Sequence, residues 1–446
     1  LTKNYRVGFM ESIKILGGQS LKGSIPISGA KNAALPLMVL GLLTDEPLVL
    51  EGIPNVTDTH SMRHILEGIG TSVQHFSKRF VLQTHHATSL QTSYDDVRKM
   101  RASFLVLGAM LGRFGLGQVS LPGGCVIGVR PINYHLEGFK ALGAHIDTSN
   151  GDIIAKAPGG RLPGGHYTFP KPTVTGSQNV IFAAVLAKGE SRLDHVAIEP
   201  EITDVITCLQ KMGAKIEGKG TSTLHIQGVD ALSGAHHSVL PDRIEMGTYM
   251  VAAALTRGDL IIEGGDLSLL PHVVECLEQS GSTITELGRN RIRIQAHDRP
   301  RPFHLSTAPY PGFPTDLQAQ FMTLAALADG ESTIIENIWE NRFMHVAELA
   351  RMGASITLDH HCATIQGKPY LTGAHVMATD LRASVGLVLA ALVSQGETTI
   401  HRIYHLDRGY EVLEHKLQNC GAIIHRIGSQ DEFMGDHHEV RSAVAS

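Results

Sequence analysis

One cysteine stands apart by its neighbours, in the stretch Pro122-Gly-Gly-Cys125-Val-Ile-Gly128-Val-Arg130-Pro131. Glycines this dense predict a tightly turning loop, and a loop thiol near Arg130 has its pKa drawn down from the usual value of about 8.5, towards the reactive thiolate. Cations recur where helices should open. Gly29-Ala-Lys31-Asn32, Met100-Arg101-Ala-Ser103 and Asp380-Leu-Arg382-Ala-Ser384 each lead into an apolar run, as do Thr175-Gly-Ser-Gln178, Asp242-Arg243-Ile-Glu245 and Pro314-Thr-Asp316-Leu317. A helix N-terminus attracts anions through unpaired N–H groups and the positive dipole end. Capping explains serine, threonine and aspartate there. It does not explain Lys31, Arg101 and Arg382, since a cation is unfavourable at that end, so these three point to a highly anionic ligand. Arg408, in Ile403-Tyr-His-Leu-Asp-Arg408-Gly-Tyr410, occupies a turn from which a guanidinium can reach an anion. Alone, that pattern is common in surface turns.

The elements that must hold these groups repeat six times. Each repeat shows an apolar helix end, a glycine, a small residue and an apolar strand. The glycines are Gly70, Gly143, Gly213, Gly281, Gly353 and Gly421, spaced 68–73 residues apart. Each falls where a helix C-cap needs a left-handed residue. A second marker is a Leu/Ala run ending in a glycine turn before a β-rich stretch, as in Leu186-Ala-Lys-Gly-Glu190 and Leu327-Ala-Asp-Gly-Glu331. Six helix–strand–helix–strand units, three per domain, are expected, with a break near 230–242. Cys208 and Cys276 lie five residues before a repeat glycine and read as core; Cys362 and Cys420 also read as structural.

The chain has 446 residues, 43% hydrophobic and 18% charged, which fits a two-domain globular protein. A net charge of −5 argues against nucleic acid or an anionic membrane as partner. With no apolar run of about 18 residues and no leader-like start, a cytoplasmic location is expected. The five cysteines form no CxxC pair, and adjacent histidines such as His236–His237 point to opposite sides of a strand. Neither a metal site nor a cofactor is expected.

The motifs Ser28-Gly-Ala-Lys-Asn-Ala-Ala34, Val119-Ser-Leu-Pro-Gly-Gly-Cys125, Phe313-Pro-Thr-Asp-Leu-Gln-Ala-Gln320, Glu340-Asn-Arg-Phe-Met-His345, Ala378-Thr-Asp-Leu-Arg382 and Asp407-Arg-Gly-Tyr410 occur in order. Together they resemble the UDP-N-acetylglucosamine 1-carboxyvinyltransferases, from about Ile13 to Ile427. The resemblance implies an α/β fold of two inside-out barrels, each of three repeated units, with an interdomain cleft that closes on substrate. It implies one barrel over 31–240 carrying the Cys125 loop, a discontinuous second barrel from 1–30 plus 241–430, and a flexible tail over 431–446. The implied activity is transfer of the enolpyruvyl group of phosphoenolpyruvate to the 3-hydroxyl of UDP-N-acetylglucosamine with release of phosphate, the first committed step of peptidoglycan precursor synthesis.

By the same resemblance, Lys31, Asn32, Arg130 and Arg408 contact phosphoenolpyruvate. Cys125 is the loop thiol that acts as general acid and is alkylated by fosfomycin-type inhibitors. Asp316 is the base beside the sugar hydroxyl. Arg101, Arg130, Pro131, Ile132, Asn133, Tyr134, Lys171, Pro172, Thr173, Val174 and Ile338 match UDP-sugar-binding positions, and Asp380 and Arg382 match further active-site positions. Two departures bear on affinity: Asn133-Tyr134 stands where the family often has Asp-Leu, and Pro172 removes a backbone N–H. The competing readings are an enolpyruvylshikimate-phosphate synthase-type enzyme and a catalytically silent UDP-sugar-binding paralogue.

Overall fold

The computed structural model describes residues 11–97, 100–121 and 132–428. Cys125, Arg130 and Pro131 lie outside them. The chain divides into two compact units. The first comprises Ser28–Arg243 with Pro309–Gly312; the second comprises the chain up to Ile27, Ile244–Ala308 and the chain from Phe313 onward.

Alternation builds the strands. In Arg291–Gln295 the isoleucines turn inward and the arginines outward, the period of two that a half-buried strand requires. Strands also begin at Glu190, Asp259, Glu331 and Glu397, directly after the glycine turns that mark the repeats.

The first unit holds three four-stranded sheets of one plan. In the sheet of Gly165–Thr168, Glu190–Asp194, Thr223–Gln227 and Lys215–Glu217, the first pair is parallel and the others antiparallel. Leu116–Ser120, Asp152–Lys156 and His145–Ser149 repeat it with Gln91–Thr92 at the edge. In the third sheet, Ala235–Ser238 runs parallel to Leu48–Glu51, so the end of the unit supplies the edge strand of its beginning. The stretch read from sequence as a break near 230–242 is thus partly a strand. Its alternation is only four residues long, too short to register by pattern.

The second unit repeats the plan with borrowed strands. Lys22–Pro26 forms the parallel edge beside Asp259–Glu263. Ser12–Leu16 lies between Glu397–His401 and Ile423–Ile427, where the other sheets have the returning strand of a hairpin. None of the six sheets closes on itself among the described residues.

Helices buried all round fill each interior, which is the inside-out arrangement. In the first unit these are Lys31–Val39, Val106–Phe114 and Val174–Ala184; in the second, Arg243–Thr256, Gln318–Ala326 and Leu381–Val393. Gly176–Ala184 and Arg382–Leu392 are buried without interruption, as expected of helices apolar on every side. Outer helices such as Pro200–Lys211 bury only one face. The six repeat glycines all cap helices or follow their last turn, with φ between 94° and 121°. Cys208 and Cys276 are core residues, and burial pushes each thiol up to about 12. Among the described residues no helix is long and apolar enough to cross a membrane.

Candidate active site

In the first unit, the residues singled out in the sequence sit where helices begin. Lys31 is the first residue of Lys31–Val39, and its N-cap, Ala30, offers no side chain to the helix. The Lys31 ammonium is nearly buried and lies 3.1 Å from Asp58 Oδ2, in the first turn of Thr57–Ile69. Burying two charges costs several kcal/mol of desolvation, roughly offset by their attraction, so the net contribution of the pair to stability is small. Asn32 follows, half-buried.

Arg101 opens the 3₁₀ turn Arg101–Leu105 that runs into Val106–Phe114. Asn133 and Val174 each begin a helix, with Ile132 and Thr173 as their N-caps. Arg101, Ile132 and Thr175 line one small hollow together with Phe104, Leu105 and His135. Three helix starts around a hollow, one bearing an arginine, suit an anionic ligand. Tyr134 is half-buried, while Lys171 and Pro172 are exposed on the segment leading to Val174.

Sequence reasoning passed over His135. Its ring is buried, packs edge-on to Phe104 and accepts at Nδ1 from Asn179 Nδ2 at 3.0 Å. Burial, then the nearby charge of Arg101, push its pKa down to about 3, so the ring is neutral. The only sequence signal was its place one turn after Ile132.

The second unit gathers its polar groups around Asp316. Arg382 donates to Asp316 Oδ2 from Nε at 3.1 Å and from Nη2 at 2.9 Å. Arg342 donates to Asp316 Oδ1 at 2.7 Å and to Thr315 Oγ1 at 2.9 Å. Thr315 in turn donates to Glu336 Oε2, while Glu336 Oε1 accepts from Thr307, Ile338 N and Trp339 N. Burial would raise the Asp316 pKa, but the charges and hydrogen bonds of Arg382 and Arg342 outweigh it and hold the carboxyl well below its ordinary range. Asp316 is therefore an ionised acceptor: Oδ2 accepts two guanidinium N–H bonds and Oδ1 accepts one, which leaves Oδ1 able to accept from a further donor such as a hydroxyl.

Asp316 belongs to the 3₁₀ turn Thr315–Leu317 and does not cap the helix after it. Asp380 does cap: its Oδ1 accepts from Arg382 N at 2.8 Å and Ala383 N at 3.1 Å. Arg408 ends the turn Ile403–Arg408, two residues before Tyr410. Its neighbour Asp407 is engaged by Arg426 at 2.6 Å. His345, buried beside Arg342 and Asp380, has its pKa lowered to about 4 by burial, against the pull of Asp380 and with the help of Arg342. Arg342, His345 and Tyr410 lay inside quoted motifs, yet nothing in a linear sequence marked Arg342 as a partner of Asp316, Tyr410 as a partner of Arg382, or His345 as buried beside Arg342 and Asp380.

Comparison with known proteins places this arrangement. The family model of EPSP synthase (3-phosphoshikimate 1-carboxyvinyltransferase) matches residues 15–417. UDP-N-acetylglucosamine 1-carboxyvinyltransferase 1 of Mesorhizobium japonicum is 50% identical over 431 residues, covering 94% of this chain and 100% of that protein. The UDP-N-acetylglucosamine 1-carboxyvinyltransferase of Afipia carboxidovorans is 52% identical over 429 residues, covering 94% and 100%. Among solved structures, the enolpyruvyl transferase NikO from Streptomyces tendae matches with a TM-score of 0.85 at 25% identity, over 94% of this chain and 100% of that one. EPSP synthase from Acinetobacter baumannii shares the fold, with a TM-score of 0.70 at 19% identity over 94% and 100%. With half its residues shared along nearly the whole length of such relatives, the chain belongs to the UDP-N-acetylglucosamine 1-carboxyvinyltransferases, within the wider EPSP synthase family.

Proposed function

We propose that the chain transfers the enolpyruvyl group of phosphoenolpyruvate to the 3-hydroxyl of UDP-N-acetylglucosamine and releases phosphate, opening peptidoglycan precursor synthesis in the cytoplasm. The observation that carries the chemistry is Asp316, kept ionised between Arg342 and Arg382.

The reaction is addition followed by elimination. The sugar oxygen bonds to C2 of phosphoenolpyruvate while its proton passes to Asp316, and C3 gains a proton from Cys125. One C3 proton then returns to the Cys125 thiolate, which restores the double bond as the C2–O bond to phosphate breaks, and the leaving phosphate carries off the proton held by Asp316. Phosphate and carboxylate carry several charges in a small volume, so Lys31, Arg130 and Arg408 serve as their cations, arginine as a bidentate fork and lysine as a point charge. Asn32 adds a hydrogen bond. Arg101, Arg130 to Tyr134, Lys171 to Val174 and Ile338 hold the nucleotide sugar. Asp380 acts by fixing the start of the Arg382 helix.

Phosphate release from phosphoenolpyruvate tests the reading. Release with UDP-N-acetylglucosamine and none with shikimate 3-phosphate is expected; release with shikimate 3-phosphate alone overturns the substrate, and release with neither favours a silent paralogue. Cys125→Asp keeps turnover, because a carboxyl can also donate a proton, and escapes alkylation by fosfomycin. A Cys125→Asp enzyme still inactivated by fosfomycin would place the alkylated residue elsewhere.

A further inference from the structure

The hydroxyl of Tyr410 lies where the three central helices of the second unit meet. It is 2.9 Å from Thr248 Oγ1 on Arg243–Thr256, 3.4 Å from Gln320 Nε2 on Gln318–Ala326, and 3.3 Å from Arg382 Nη1 on Leu381–Val393. Tyr410 is 4% exposed, and Thr248 and Gln320 are fully buried. The Thr248 hydroxyl lies 2.8 Å from the Ile244 carbonyl, which can only accept; with the Thr248 proton directed there, the tyrosine donates to Thr248. The tyrosine oxygen is then left to accept, and Arg382 and Gln320 can only donate from the atoms that face it. The chain runs one way, from guanidinium and amide through Tyr410 and Thr248 to the Ile244 carbonyl. Gln320 Nε2 also donates to Thr248 Oγ1 and to the Asp316 carbonyl, each at 3.1 Å, tying the base's own backbone to the same point.

The guanidinium of Arg382 is therefore held at two edges: Nε and Nη2 face Asp316, and Nη1 faces Tyr410. One contact alone would let the planar group pivot; two fix its plane. We infer that Tyr410 is a positioning residue for the enolpyruvyl transfer proposed above, acting through Arg382 to set the orientation and basicity of Asp316. Removing its oxygen takes away one of the two edges at which the guanidinium is held and loosens the fork on Asp316. Because the Arg382 contact lowers the Asp316 pKa, loosening it raises that pKa.

This inference rests on the role proposed for Asp316, so the test has one readout that needs no activity. The full chain is compared as wild type, Tyr410→Phe, Thr248→Val and Thr248→Ser. In Tyr410→Phe, kcat falls about 10–100-fold, the cost of slightly misplacing a reacting group. KM for either substrate stays within about threefold, and the acid limb of the pH–rate profile moves to higher pH. Thr248→Val moves the same quantities less, and Thr248→Ser restores wild-type behaviour. Carboxyl NMR reads the Asp316 titration directly and moves upward in Tyr410→Phe whether or not the sugar substrate is correct. An unmoved Asp316 titration overturns the inference. So does a lowered melting temperature with unchanged kcat per folded molecule, or a raised KM at constant kcat. A wild type inactive with UDP-N-acetylglucosamine, but with the titration shift intact, would defeat the proposed reaction and leave the positioning role standing.

Discussion

The two units share one scaffold and differ at several of their helix starts. In the first, Arg101, Asn133 and Thr173 stand half-buried or exposed, and one hollow collects residues from three separate segments. In the second, Asp316, Arg342, Arg382, Gln320, Thr248 and Tyr410 bind one another. A hollow lined by helix starts can receive a ligand, whereas side chains bonded to one another resist movement and hold a geometry. The contrast agrees with the division of labour proposed above: ligand binding on one unit, orientation of a base on the other. Charge follows it, with one cation facing Asp58 and two facing Asp316.

The largest effect that could break this contrast is Asp316→Ala. Turnover is expected to fall by about 10²–10⁴, the usual worth of a general base, while calorimetry shows UDP-sugar affinity changed by less than tenfold. Loss mainly of affinity would make Asp316 a binding residue and erase the difference between the units. On the first unit, Lys31→Met leaves Asp58 buried without that ammonium and should lower unfolding free energy by about 3 kcal/mol. Adding Asp58→Asn should recover most of it in denaturant titrations, and a double variant as unstable as the single would show that the two charges do not depend on each other.

A pH experiment compares the units at similar magnitude. Among the described residues, each has one fully buried histidine of lowered pKa, His135 to about 3 and His345 to about 4, from an ordinary 6.5. Below pH 6.5 the unfolded chain takes up protons that the folded chain refuses, so stability falls as pH drops from 6.5 towards those values. The full loss is about 5 kcal/mol for His135 and about 3 kcal/mol for His345. His345→Asn should flatten the slope between pH 6.5 and 4, and His135→Asn should flatten it over the same range and further down, towards 3. A slope indifferent to both replacements would assign the acid sensitivity to other groups.

The smallest effect concerns the helix crossings. A Cβ on Gly108 would lie 2.2 Å from both the carbonyl and side-chain oxygens of Asn179, whereas on Gly386 its nearest neighbour is the Ala319 carbonyl at 3.1 Å. Gly108→Ala should therefore cost about 2 kcal/mol and Gly386→Ala less than about 1, by thermal unfolding. Equal costs would show that both crossings relax alike.

Much of this could be read in advance from local pattern. The repeat glycines, the strand starts after glycine turns and the buried Cys208 and Cys276 are set by residues within a few positions of one another, where conformational preference and period act directly. The helix openings of Lys31, Arg101 and Arg382 were visible for the same reason. Arg342 and Tyr410 were visible only as letters in a motif. Asp316 and Arg382 are 66 residues apart, and Thr248 and Tyr410 are 162 apart.

What the sequence determined by itself was therefore the unit and its repetition: six glycine-capped helix ends, inward-facing apolar strands, and cations at helix starts that capping alone does not explain. Tertiary structure decided which copies of that unit face each other. It carried Ala235–Ser238 back to Leu48–Glu51 and Ser12–Leu16 to Glu397–His401. It also brought one residue from each of three helices to the Tyr410 hydroxyl. The reason is physical. Backbone preference and side-chain period act over a few residues, but hydrogen bonds and ion pairs depend on distances in space, and only the packing of the buried helices sets those.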